Sequence, residues 1–537
     1  MRRGKGIVII VLVLVWTIPL RAAAQDTLEE ISFTVERYEI VGDNPIDSLA
    51  DSILAPFTGE QFGLEGLSAA RDALEQAIVA AGYNFHRVSL PPQELFEGTV
   101  KLKVSRFKIG RIAVEGNEFF DNQNILNSVP ELEEGATPNT KLLSRSLNIA
   151  NSHASKNTVL RFKEGSGADT IDAVLAVRDR DPRVYFISLD NTGPEDGEEW
   201  RTTFGYQNGN LFNRDHSVTA TLTTAPEDPD ATTQVGINYH VPFYEHGASM
   251  DFLLSDSDSS GETGGQDDAG QSIAPGTGGG QALEITGEGT VYGFIYNRPL
   301  LTDGNFNHEW SVGLQHKNFD NKSEFGTADL GGADVVSVPL ELGYSFSRQA
   351  PGKSFFGSVT LVQEVGDDDD EYDFDRPEAE SGWSALRFNI TYDQLFAEAY
   401  LFHAGFSGQQ TDSLLISGEQ FGVGGVGTLR GFEERSVTGD SGYQLSLEVW
   451  FPPLTSYNLR FLVFTDFAHT EFNDGDLPGN DGVEFDLSSA GAGMFWSWKE
   501  NLSVSLNYGV IGEGGGLDTS INDDGDDKLH FSAVYRF

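Results

Sequence analysis

Cysteine is absent from the 537 residues, so the chain can hold neither a disulfide framework nor a thiolate metal site. Basic charge is scarce: 35 Lys and Arg stand against 82 Asp and Glu, a formal charge of −47. Nucleic-acid phosphates need lysine and arginine to neutralise them, so this charge disfavours nucleic acid, and no such partner is expected. Long apolar runs are also missing beyond the first 24 residues, so no later segment reads as a membrane-spanning helix. A closed β-barrel, the other structure that satisfies every backbone group in lipid, stays open. The single apolar run, Ile7 to Leu20, follows Arg2, Arg3 and Lys5 and precedes Ala22-Ala23-Ala24. That layout predicts a secretory signal peptide over 1–24, with a mature chain from near Gln25. Its removal takes away four basic residues and no acidic ones, which brings the charge to −51.

Residues 33–180 read as two α/β units of like layout, 33–105 and 106–180. The first is predicted as a strand Phe33–Val41, a short helix at 46–54, a helix 66–81 and strands 83–90 and 99–105. Leu67, Ala70, Leu74, Ile78 and Ala81 form one apolar stripe on the longer helix, and Gly82 ends it. The second unit repeats the order: strand 107–115, helices 122–128 and 139–155, strands 158–163 and 170–178. Such pairs of modules commonly bind peptides or act as spacers.

From Arg183 helical periodicity gives way to sixteen segments with alternating apolar faces, from 183–191 to 528–537. Most fit the roughly 9–11 residues that a tilted strand needs to cross a bilayer. Leu502, Val504, Leu506, Tyr508 and Val510, for example, alternate with Ser503, Ser505, Asn507 and Gly509. Alternation alone also suits a water-soluble sandwich. The connections discriminate, because they are long and short in turn: 225–231, 256–280, 318–334, 366–382 and 411–441 alternate with 242–247, 348–352, 395–398 and 452–458. Outer-membrane barrels have this asymmetry, with short periplasmic turns and long outer loops. The fold class is therefore α+β modules followed by an all-β transmembrane barrel of 16 antiparallel strands over 183–537.

Several motifs carry little. Gly422, Gly424 and Gly427 spell G-x-G-x-x-G without a βαβ context and read as flexible-loop glycines. Asp256, Asp258, Ser260 and Gly261 echo a calcium loop, but position twelve is Asp267 and no helices flank it. The acidic runs Asp367–Asp370 and Asn522–Asp527 read as solvated loops, with weak divalent-cation binding as the alternative. Histidines such as His403 lack metal spacing, and there is neither a nucleophile elbow nor a phosphate-binding loop. The expectation is no enzyme, no metal and no cofactor.

Three stretches resemble a known family. YNFHRVSLPPQELFEGTVKLKV, with Pro91, Pro92 and Gln93 after the second strand, resembles the first POTRA domain (ShlB-type) of the TpsB two-partner secretion transporters. FKIGRIAVEGNEFF resembles the start of the second. Further on, residues 418–431 hold six glycines in fourteen and lead into Leu429-Arg430-Gly431-Phe432, which resembles the signature that this family carries in its sixth outer loop. In that family the loop folds into the barrel and its arginine approaches an aspartate on strand thirteen. Strand thirteen here is LRFLVFTDFAHT, and alternation puts Asp466 on the inner wall. The family's glycine two residues on is replaced by Ala468, and Glu448 also points inward, able to share the arginine. A barrel lumen is wet, so the pair is expected to be worth about 0–1 kcal/mol, like an exposed one. The terminal Phe537 matches the C-terminal strand signal of outer-membrane barrels.

The resemblance implies an outer-membrane exporter whose POTRA domains capture an unfolded haemolysin- or adhesin-type exoprotein in the periplasm, with outer-membrane lipid and the barrel-assembly machinery as further partners. A barrel-assembly factor of the same superfamily is the alternative, then a porin or surface receptor; a hydrolase lacks the residues. The plug helix of many family members finds no room between Gln25 and Phe33. An epitope tag inserted within 256–280 should be detected on intact cells, and one at 348–352 only after permeabilisation. The reverse pattern would overturn the topology.

Overall fold

The structure is a computed structural model that describes residues 32–94, 96–152, 155–193, 198–229, 232–259, 289–301, 304–320, 324–325, 328–329, 334–366, 369–397, 399–455, 457–473, 483–499, 501–515 and 523–537. The predicted signal peptide, residues 25–31, most of the calcium-like loop and parts of both acidic runs lie outside the described residues.

The first module has a three-stranded sheet in the order 37–42, 99–106, 86–89, with the first pair parallel. Helix Glu65–Ala80 packs on it through Leu67, Ala70, Leu74 and Ile78, all buried as the stripe requires. Gly82, at φ +96°, takes the left-handed turn past the helix end. The predicted strand Phe33–Val41 is two strands, because Glu36 breaks the ladder between Ser32–Val35 and Arg37–Gly42. Ser32–Val35 pairs instead with Gly59–Phe62, a strand that the sequence did not announce.

The second module repeats the plan, with 170–179 between 108–115 (parallel) and 156–164 (antiparallel). Asp121 and Asn139 cap its two helices, accepting from Asn124 N–H at 2.7 Å and Lys141 N–H at 3.0 Å. The second helix ends at Ala150, short of the expected 155. Ile109, Phe120, Ile125, Leu143 and Leu175 form its core.

Sixteen antiparallel strands then close into a barrel. They are β1 (Arg183–Asp190), β2 (Arg201–Leu211), β3 (His216–Thr224), β4 (Thr232–Phe243), β5 (Ala248–Ser259), β6 (Gly289–Pro299), β7 (Phe306–Asp320) and β8 (Asp334–Ser337 continuing as Pro339–Ala350). The circuit continues through β9 (Lys353–Glu364), β10 (Ser384–Phe396), β11 (Tyr400–Gln410), β12 (Ser441–Trp450), β13 (Leu459–Glu471), β14 (Glu484–Trp498), β15 (Leu502–Gly514) and β16 (Asp527–Arg536). β8 is interrupted at Val338 because Pro339 has no N–H to give; the Val338 N–H turns to the Glu364 carboxylate at 2.8 and 3.0 Å. β16 pairs with β1, and Phe537 completes the seam, its N–H donating to Tyr185 O at 2.9 Å while its ring stacks on Tyr185. Against expectation, the connection 365–383 carries a helix, Asp369–Asp375, whose Tyr372 is buried.

The register separates two faces. Leu342 lies opposite Leu361 and Tyr344 opposite Val359, all exposed, while Gly343–Thr360 and Ser345–Ser358 pair on the inner side. An apolar exterior around a polar interior is the arrangement that hydrocarbon demands. The short connections 212–215, 244–247, 300–305, 351–352, 397–399, 451–458 and 499–501 all lie at one end and the long ones at the other. Val359→Arg should destabilise the folded barrel by about 2–4 kcal/mol, the cost of a cation on the lipid face near mid-bilayer. Thr360→Arg, on the inner face, should cost far less; heat-modifiable mobility against urea concentration reads both. Equal losses would mean that the faces are misassigned.

Candidate functional site

The connection 411–440 folds back inside the barrel. Phe421–Val423 and Val437–Gly439 pair as a small hairpin, so the glycine-rich stretch is ordered and not the flexible loop its composition suggested. The glycines serve geometry. Gly424, Gly425 and Gly431 sit at φ +120°, +90° and +101°, where a side chain is strained. Leu429 and Phe432, both fully buried, pack with Val423 and Val437 against Ala468, Leu487 and Ile511 of β13, β14 and β15. This apolar contact seats the tip on the wall. Gly431 and Gly509 of β15 meet backbone to backbone, and a Cβ on Gly509 would come within 2.6 Å of Arg430 and Gly431 main-chain atoms.

Packing of the tip drives Arg430 into a polar pocket on the wall. Its Nε donates to Asp466 Oδ2 at 2.8 Å and its Nη2 to Asp466 Oδ1 at 2.7 Å, a two-point contact. Nη1 donates to Glu448 Oε1 at 2.6 Å and Nη2 also to Ser446 Oγ at 2.9 Å. The guanidinium lies over the Phe464 ring, 3.6 Å from its centroid. Asp466 gains two more donors, Arg430 N–H at 3.2 Å and Ser446 Oγ–H at 2.7 Å. Trp450 Nε1–H fixes the other oxygen of Glu448 at 2.6 Å. On the far side, Gly431 N–H donates to His530 Nε2 of β16 at 3.0 Å.

The Arg430 side chain is only 7% exposed and that of Asp466 not at all. The expectation of a wet, weak pair is therefore wrong here, because the loop itself excludes the water. Two further anchors hold the stem. Glu419 takes Lys317 of β7 at 2.8 Å and Arg387 of β10 at 3.0 Å. Asp440 accepts from both terminal nitrogens of Arg376, which follows the outer-loop helix, and from Leu415 N–H at 2.9 Å. Burial raises the Glu419 carboxyl, but Lys317 and Arg387 outweigh it and the net shift is downward.

Arg430, Asp466, Glu448, Leu429, Gly431 and Phe432 thus converge as one site. Pro91, Pro92 and Gln93 do not belong to it; they lie in the first module. There Gln93 holds strand 99–106, its Oε1 accepting Lys101 N–H at 2.6 Å and its Nε2 donating to Lys101 O at 2.8 Å. Ser446, Phe464, Gly509 and His530 were missed. Alternation in the last strand already pointed His530 inward, whereas Ser446 and Gly509 needed the register.

Arg430→Ala would leave Asp466 buried without its counter-charge, a loss of roughly 3–5 kcal/mol in seating the loop. The closed ladder should still hold the barrel in its heat-modifiable form. Protease added to outer-membrane preparations should cut within 417–440 in Arg430→Ala and Asp466→Ala, partly in Arg430→Lys, and not in the parent. Continued protection in Arg430→Ala would show that the pair does not seat the loop. The lowered Glu419 carboxyl adds a pH test: its anchorage is complete above the ordinary glutamate value of about 4.3 and is lost only as pH falls through the depressed value. Protection of the parent should therefore persist to pH ~4.3 and fail in stronger acid.

The chain is similar to known proteins along most of its length. It is 20% identical over 95% of its residues to the heme/hemopexin transporter protein HuxB of Haemophilus influenzae, covering 88% of that protein. A 151-residue stretch is 27% identical to the outer membrane transporter CdiB-2 of Burkholderia pseudomallei, covering 28% of this chain and 25% of that one. The fold is similar to that of CdiB from Escherichia coli, with a TM-score of 0.74 at 16% identity, covering 97% of this chain and 93% of the other. CdiB from Acinetobacter baumannii gives a TM-score of 0.69 at 15% identity, over 94% and 90% of the two chains. Residues 33–106 match the ShlB-type POTRA domain. Residues 170–494, more than half of the sequence, match the model of the haemolysin secretion/activation proteins, so the chain belongs to the ShlB/FhaC/HecB family.

Proposed function

We propose that this chain exports an unfolded exoprotein of the haemolysin or adhesin type, and that the seated sixth loop is the element that makes the barrel transport-competent. Its family makes it an outer-membrane transporter of the two-partner secretion type with POTRA domains in the periplasm. The observation that carries the finer reading is Arg430 joined to Asp466 and Glu448 across β12 and β13 inside the lumen. The proposed division is a signal peptide over 1–24, POTRA domains over 33–105 and 106–180, and a barrel over 183–537. In this reading the POTRA sheets add an extended cargo segment to an edge strand, main chain to main chain, so that capture is tolerant of sequence. The barrel then passes the chain outward without nucleotide hydrolysis and without catalysis. Phe537 is the proposed signal for the barrel-assembly machinery, and outer-membrane lipid covers the apolar exterior. The name of the Haemophilus influenzae relative offers heme/hemopexin transport as a second reading of the cargo.

Deleting residues 33–178 should leave a heat-modifiable barrel in the outer membrane and abolish release of a co-expressed haemolysin- or adhesin-type exoprotein. Export that persists would refute the capture role of the modules. In planar bilayers the purified barrel should flicker open rather than conduct steadily, because the sixth loop folds into its lumen. A silent barrel would refute that.

A further inference from the structure

The second POTRA domain meets the barrel through a buried charge that the transport reading does not use. Lys156, at the start of strand Lys156–Glu164, is paired with Asp215 in the short connection 212–215. Nζ lies 2.5 Å from Asp215 Oδ2, and both side chains are 0% exposed. Tyr244, in the neighbouring short connection 244–247, donates its hydroxyl to the same carboxylate oxygen at 2.6 Å. Asn124 joins them, giving its Nδ2–H to Asp215 Oδ1 at 2.9 Å and taking Lys156 through its Oδ1 at 3.2 Å. Phe120 lies under the ammonium, 5.0 Å from ring centroid to Nζ.

Every member is oriented by another. Asn210 Oδ1 accepts Asp215 N–H at 3.1 Å, and Asp215 sits at φ +60°, a left-handed conformation that Asp tolerates better than most residues. Burial raises the Tyr244 hydroxyl well above its ordinary value, with Asp215 adding to the effect, so it acts as a donor. Burial pulls the Lys156 ammonium down against the opposing pull of Asp215 and Asp179. A dry pair of this kind is a poor source of net stability, since desolvation offsets much of the attraction. It is a strong source of specificity, because either partner left alone is a bare charge away from water.

Resting on the exporter reading above, the geometry points to Lys156, Asp215 and Tyr244 as a lock that keeps the second POTRA domain docked on the barrel's short turns while cargo is handed to the pore. These are positioning residues: none needs to touch the cargo. The lock joins the module to two adjacent turns, so sliding or tilting it would strip partners from a buried carboxylate.

The chain has no cysteine, so an engineered pair is unique. Asn148 of helix Thr140–Ala150 donates to Asn307 of β7 at 3.2 Å, across the same interface. Asn148→Cys with Asn307→Cys, bridged by a short bismaleimide in outer-membrane vesicles, reports docking without any cargo. Bridging should be near complete in this background and fall roughly tenfold or more when Lys156→Met is added. The neutral pair Lys156→Met with Asp215→Asn should recover it, which separates the lock from simple misfolding. In cells, secretion of a co-expressed haemolysin- or adhesin-type exoprotein per heat-modifiable barrel should be normal in the bridged parent, reduced by Lys156→Met and recovered in the neutral pair Lys156→Met with Asp215→Asn. Unchanged bridging in Lys156→Met would overturn the lock. Export blocked by the bridge in the parent would overturn docking as the transport state. A parent that secretes nothing would refute the exporter reading instead, while the bridging yields still decide the lock.

Discussion

A single guanidinium holds the inside of this barrel together. Arg430 gives two parallel hydrogen bonds to Asp466 and one each to Glu448 and Ser446, and lies on the face of Phe464. Only arginine has the planar fork for this set; lysine would keep the charge and lose the geometry. The two acceptor strands, β12 and β13, are adjacent, with Ser446 directly opposite Asp466 and Glu448 opposite Phe464. The side chain is therefore a clamp across the ladder, placed on it by a loop that has come back from the opposite end of the strands.

What delivers the arginine is apolar packing. The hairpin buries Val423, Leu429, Phe432 and Val437 against the wall, and that contact dries the pocket. In a dry pocket the charges interact strongly and an unpaired one is costly, so loop and pair depend on each other. Gly431 and Gly509 let the two backbones touch, and His530 accepts the Gly431 N–H from the last strand. The tip thus bridges β12 and β13 on one side and β15 and β16 on the other, next to the seam where β16 meets β1. Glu419 and Asp440 hold the two stems, the first on strands β7 and β10, the second through Arg376 of the outer loop over 365–383.

Much of this was legible in the sequence. Period-two alternation gave the strands to within a few residues, apart from the expected start of the sixth over 281–288, which lies outside the described residues, because a barrel strand has two different solvents on its two faces. Connection lengths gave the direction, and alternation along LRFLVFTDFAHT put Asp466 inside. The dryness of the site was not legible. It depends on long-range packing of a loop whose glycines look like slack until their φ angles are known. Ser446 and Gly509 were hidden for a related reason: their partners are set by register, and a sequence does not state register. The helix Asp369–Asp375 was masked by its acidic run, which reads as a solvated loop until Tyr372 is seen buried beneath it. Lys156 and Asp215, far apart in the chain, carried no signal at all.

The central claim is that Arg430 and Asp466 act in transport as one unit. The most direct test is a double-mutant cycle on secretion, normalised to heat-modifiable barrel, for the parent, Arg430→Ala, Asp466→Ala and the double variant. If the pair is the functional unit, each single change should abolish most of the secretion and the double should lose no more than either one. Normal secretion by Arg430→Ala, or losses that multiply in the double variant, would contradict it.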